Sequence, residues 1–215
     1  MTAQPDFQLI KIRSSLTELI KSFFYSEPDA SRLGLWRGVV FSLSDESISP
    51  EMDEAVAGLS RCISEKGLQD LKEEYYELFT NPFSRHSVNM NLSYYRDGHN
   101  FGQALVECRE FLKKAGIEKK EGVSDTEDSL VVMLDIYQEL INRERKDPAD
   151  ASVLEGEFLN RFLLPLGAAL EKAMEKNPQA SFYRACSHFL NAYLFMERSL
   201  TFGPSGIQSY SVESN

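Results

Sequence analysis

Residues 71–98, LKEEYYELFTNPFSRHSVNMNLSYYRDG, decide how the rest of the chain is read. Leu71, Tyr75, Leu78 and Phe79 recur at three- and four-residue spacing, the pattern of an amphipathic helix. Asn81-Pro82 breaks that helix, over a dozen residues follow without a helical period, and Asp97-Gly98 is a turn signal. A connection this long inside a compact domain is functional or mobile. On both sides of it helix follows helix. The break is therefore where such a fold can present something other than packing.

Upstream, residues 7–26 place Ile12, Leu16, Leu19, Ile20 and Phe23 on one stripe. A second helix carries Leu33, Leu35, Trp36, Val39, Val40 and Leu43, with Pro28 in its first turn, Trp36 in the core, and Gly34 and Gly38 suggesting close packing. Ser49-Pro50 opens a third, with Met52, Val56, Leu59 and Ile63 inward, and Gly67 ends it. The next, 68–79, has Glu73, Glu74 and Glu77 on its solvated side. Downstream, a helix begins near Gly98–Asn100 and stops at Ala115-Gly116. Ser124 with Glu127 three residues on is a capping-box pattern, so the helix through Leu130, Leu134, Tyr137 and Ile141 is expected to start there. A long helix over 150–176, or two separated by a kink near Pro165, and a last one over 179–199 complete the set. No strand candidate of convincing length exists. The fold class is all-α, a single globular multi-helix bundle over 1–200, with an irregular tail at 201–215.

Composition narrows the function. The chain has 23 basic and 33 acidic residues, a net charge of −10, which disfavours nucleic-acid binding and fits a cationic partner. No apolar run is long enough to span a membrane, and the N-terminus has no signal-peptide pattern. Three widely spaced cysteines, Cys62, Cys108 and Cys186, argue for a reducing, cytoplasmic setting and against a disulfide scaffold. His86, His99 and His188 form no metal-binding motif, and no P-loop, dinucleotide fingerprint or nucleophile elbow occurs. No cofactor, metal or catalytic residue is expected, although a helical small-molecule-binding protein or hydrolase remains an alternative.

Three segments carry a resemblance. Glu74-Tyr75-Tyr76-Glu77-Leu78-Phe79-Thr80-Asn81-Pro82, then Leu92-Ser93-Tyr94-Tyr95-Arg96-Asp97-Gly98, then Asp128-Ser129-Leu130-Val131-Val132-Met133-Leu134 stand in the order and spacing of three family motifs. Together with Ala115-Gly116 and Phe182-Tyr183, the pattern resembles the TorD/DmsD/NarJ family of cytoplasmic chaperones for molybdenum-containing oxidoreductases. The resemblance implies a TorD-like bundle, monomeric or homodimeric. Its expected partner is the N-terminal, twin-arginine type signal peptide of an apo oxidoreductase catalytic subunit, whose export it delays until the cofactor is inserted. A NarJ-like chaperone for a non-exported or remnant-leader subunit is the alternative within the family. The implied peptide-binding residues are Glu74, Tyr75, Leu78, Phe79, Pro82, Tyr94, Tyr95, Glu127, Asp128 and Ser129. Carboxylates at Glu74, Glu127 and Asp128 would pair with arginines, and the aromatics would bury the apolar segment. Phe79 reads equally well as core. Ser129 stands where the family has histidine, and Met133 where it has glutamate.

Overall fold

The computed structural model describes residues 6–119, 122 and 124–202. Among these residues ten α-helices follow one another with no strand: α1 (Phe7–Phe24), α2 (Ala30–Ser44), α3 (Pro50–Glu65), α4 (Leu68–Tyr75), α5 (Leu92–Asp97), α6 (Gln103–Ala115), α7 (Leu130–Arg143), α8 (Pro148–Phe158), α9 (Leu164–Glu175) and α10 (Phe182–Phe202). Two π-turns, Tyr76–Thr80 and Leu159–Leu163, extend α4 and join α8 to α9. None of these helices is long and apolar enough to cross a membrane.

Helices α1, α3, α4, α8 and α9 pack around α10. Its Phe182, Tyr183, Cys186, Phe189, Leu190, Tyr193 and Leu194 are all fully buried, and a helix apolar on nearly every side belongs in a core. α3 and α9 lie along it, α1 packs on α7, α2 on α3, and α8 against α7 and α10. Gly167 permits the close approach of α9: a Cβ there would stand 2.8 Å from both the Asn191 and Leu194 side chains. Trp36 is buried as expected, 5.7 Å from the Phe182 ring and donating its indole N–H to Ser22 Oγ at 2.8 Å.

Local signals held where no distant group competed. Ser49 caps α3 through Met52 N, and Gly116 ends α6 at a φ of 61°. Elsewhere the expectations need correction. Asp29, not a first-turn Pro28, starts α2, and Leu35, Gly34 and Gly38 face outward with nothing packed on the glycines. The segment 92–97, expected to be irregular, is helical, and α6 begins at Gln103 rather than near Gly98. Ser124 and Glu127 cap nothing; α7 starts at Leu130 with Ser129 as its cap. Near Pro165 the helical ladder has already widened into a π-turn, which accommodates a ring that would clash with the carbonyl four residues back. On α1, Ile12 is exposed and Arg13 is buried, the reverse of the stripe. The last helix takes in residues 201 and 202, and the rest of the expected tail, from 203, lies outside the described residues.

Candidate functional site

The stretch 71–98 forms a knot in which helix ends are tied by side chains from distant segments. Glu74, expected on a solvated face, is 6% exposed. Its Oε1 accepts the Ser181 and Tyr183 N–H groups at 2.7 and 2.9 Å, and its Oε2 accepts Lys66 Nζ at 2.6 Å. It thus satisfies the first-turn donors of α10, a favourable place for a negative charge.

Past Tyr75 the ladder widens, and Asn81 N donates to Tyr76 O at 2.7 Å. The Asn81 side chain then takes the Phe83 N–H at 3.0 Å, turning the chain over Pro82. Val88 N returns to Leu78 O at 2.8 Å, and Asn177 Nδ2 holds His86 O at 2.7 Å.

The loop next pairs with the segment before α7. Leu92 N donates to Asp128 O at 3.0 Å, Leu130 N donates to Met90 O at 2.9 Å, and Asn91 and Ser129 form an isolated antiparallel bridge. Asp128 is fully buried. It accepts Ser93 N at 2.9 Å, the Thr126 hydroxyl at 2.6 Å and Asn91 Nδ2 at 3.3 Å. Burial pushes its carboxyl up, yet these hydrogen bonds outweigh burial and hold it below the usual Asp range. Ser129 is buried as the α7 cap. Glu127 forms an ion pair with Arg109 at 3.0 Å. The three carboxylates expected to receive cations are therefore each engaged within the chain.

The aromatics divide. Phe79 lies 4.9 Å from the Tyr183 ring, 5.2 Å from Tyr75 and 6.3 Å from Phe24, so that half-buried Phe79 and Tyr75 pack against the fully buried Tyr183 and Phe24. Leu78 is fully buried. Tyr95 donates its hydroxyl to Asn89 O at 2.7 Å and stands edge-on to Tyr94, which is 46% exposed. No ring contact joins this pair to Phe79 among the described residues.

What remains open to solvent is Pro82, Tyr94 and two aromatics outside the expected set, Tyr76 at 47% and Phe83 at 91% exposure. Tyr76 lines an open hollow of about 360 Å³ with Asp70, Glu73, Glu77 and Gln179, and with Lys66 and Glu74, which pair with each other. Across the 177–179 turn, Tyr94 and Tyr95 line a second hollow of about 280 Å³ with Arg85 and Lys176. The signal for Phe83 was its place after Asn81-Pro82 in a stretch with no period to bury it. For the acidic hollow the only signal was the density of Glu around Tyr76.

Chemistry beyond binding finds little support. Burial pushes the Cys108 thiol up to about 12, far from a nucleophile's range, and the buried Cys186 thiol is also raised. Among the described residues no group of three His, Cys, Asp or Glu is placed to hold a metal ion.

Residues 45–170 match the family described as nitrate reductase delta subunit. Two chaperone proteins named TorD, from Vibrio vulnificus strains CMCP6 and YJ016, are each 22% identical over 167 residues, 74% of this chain and 77% of theirs. A crystal structure described as a redox enzyme maturation protein, from Archaeoglobus fulgidus, aligns at 22% identity and a TM-score of 0.47, over 86% of this chain and 94% of that one.

Proposed function

The chain belongs to the nitrate reductase delta subunit family, and from that premise we propose that it binds the N-terminal leader of a molybdenum-cofactor oxidoreductase subunit. It is a TorD-like chaperone of redox enzyme maturation and not an enzyme. Binding in the cytoplasm holds the apo subunit back from export until its cofactor is inserted.

The observation that carries the reading is the acidic hollow beside Tyr76, continuous in sequence with the exposed Pro82-Phe83. A leader with paired arginines offers two planar cationic forks followed by an apolar segment. Asp70, Glu73 and Glu77 replace Glu74, Glu127 and Asp128 as receivers of the forks: Glu74 and Glu127 already pair with Lys66 and Arg109 and Asp128 is sealed from solvent, whereas Asp70, Glu73 and Glu77 each accept one neutral donor, from Gly67 N, Gln69 and Asn81. Tyr76 and Phe83 cover the start of the apolar segment, and Tyr94 extends that surface past the 177–179 turn. Tyr75, Leu78 and Phe79 support the surface from beneath.

The test is titration of the purified protein with leader peptides of candidate oxidoreductases, each beside its Arg-to-Gln version. The double variant Glu73→Gln/Glu77→Gln is expected to weaken the arginine leader about tenfold or more, the equivalent of ~1.4 kcal/mol. The Arg-to-Gln peptides should bind wild type equally weakly. A leader bound just as well without its arginines overturns the pairing. That result favours the NarJ-like reading, a chaperone for a subunit that is not exported or has only a remnant leader.

A further inference from the structure

The deepest charged cluster belongs to none of the leader-binding residues. Arg13 of α1 is 4% exposed, and three carboxylates converge on its guanidinium. Nε donates to Glu197 Oε2 at 2.9 Å, and Nη2 donates to Glu197 Oε2 at 2.6 Å and to Glu155 Oε2 at 2.5 Å. Nη1 donates to Glu144. The Tyr137 hydroxyl also donates to Glu197, at 2.8 Å. Tyr193 donates to the Arg13 carbonyl at 3.2 Å and shares a 2.6 Å hydrogen bond with Thr17. The groups around Glu155 are thus Arg13 from α1, Tyr137 and the capping Glu144 from α7, and Tyr193 and Glu197 from α10. Arg161, on the π-turn after α8, is drawn to Glu157 and Glu107 instead.

One cation facing three carboxylates leaves two negative charges uncompensated where water is scarce, a costly arrangement. The three acids are not equivalent. Glu197 has the guanidinium and a phenol. Glu144 is 20% exposed and reaches water. Glu155 is 1% exposed, and its Oε1 is buried with no hydrogen-bond partner. That oxygen is where a charge is least tolerable.

We propose that Glu155 carries a proton in the folded chain, shared toward Glu144, and that this proton is a latch closing α8 onto α1 and α10. Ionising Glu155 sets a second negative charge against Glu144, at the other end of the turn joining α7 to α8, and opens that corner. Burial, with Glu144 alongside, pushes the Glu155 carboxyl up to about 8 against the pull of Arg13. The sign follows from linkage. A carboxyl raised in the folded state contributes fully below the ordinary Glu range, and the contribution is lost as pH rises through about 8.

Thermal melts of the full chain from mildly acidic to mildly alkaline pH test the latch against Glu155→Gln, the neutral isostere. The wild-type melting temperature is expected to fall by several degrees across that range. The variant should hold its value and exceed wild type at the alkaline end. Infrared spectra of wild type at neutral pH should show a protonated-carboxyl band that fades with rising pH and is missing from the variant. A variant equally destabilised at every pH, or no such band, overturns the proposal. Should Glu155→Gln fail to fold, hydrogen exchange of residues 144–158 in wild type decides: intrinsic-rate-corrected exchange must accelerate as the band fades, and a flat response overturns it.

Discussion

Asp128 and Glu155 are both carboxylates sealed inside the bundle, at 0% and 1% exposure, and their surroundings shift them in opposite directions. Burial pushes each one up. Around Asp128, the backbone N–H of Ser93 and the side chains of Thr126 and Asn91 all point at the carboxylate and reverse the shift. Around Glu155 a single guanidinium is divided among three acids, no donor is aimed at Oε1, and burial wins. Depth does not decide the state of a buried acid; the donors aimed at it do.

The contrast sets the pH response from both sides. Asp128 has a folded pKa below its ordinary range, so its contribution is complete above that range and lost as pH falls through the depressed value. Glu155 loses its contribution as pH rises through about 8. Stability is therefore expected to peak in mildly acidic solution, with Asp29, Asp53 and Glu157, also held below their ordinary range, adding to the acid limb.

Four substitutions break or sharpen the comparison. Arg13→Ala strands the three carboxylates and is expected to lose about 3–5 kcal/mol, or folding altogether, in urea denaturation. A loss within the ~0.5 kcal/mol typical of surface sites would show that the cluster is already neutral. Glu74→Ala leaves the first-turn donors of α10 and Lys66 without their acceptor, for about 1.5–3 kcal/mol by the same measurement. Asp128→Asn keeps an acceptor but turns an amide toward donors, for about 1 kcal/mol, and its acid-side melts should flatten relative to wild type. Phe83→Ala touches only the exposed surface and should stay within about 0.5 kcal/mol while weakening leader binding in the titration. If that order inverted, Phe83 would be structural and the leader surface would lie elsewhere.

Much of the fold was legible because its signals are local. Apolar spacing along α3, α7 and α10, the Ser49-Pro50 start and the Gly116 stop each depend on groups within a turn or two. The candidate site was legible only as a neighbourhood. Broken periodicity located 71–98 and the resemblance pointed to Asp128, but neither could say which groups were already taken. Glu73, Glu74 and Glu77 read alike in sequence; only the middle one meets the start of α10, 107 residues downstream. Ser124 and Glu127 satisfied a capping rule, yet the pairing of Asp128 and Leu130 with residues 90–92 delays the helix to Ser129.

By itself the sequence determined an all-helical chain and those of its breaks that rest on local groups, because helical periodicity and turn chemistry act over a few residues. Only the tertiary structure decided what the charges do. Arg13 takes the inward place expected of Ile12 because Glu144 and Glu197 reach it from 131 and 184 residues away. A charge in the interior is tolerated only beside its partner, and sequence separation carries no record of who that partner is.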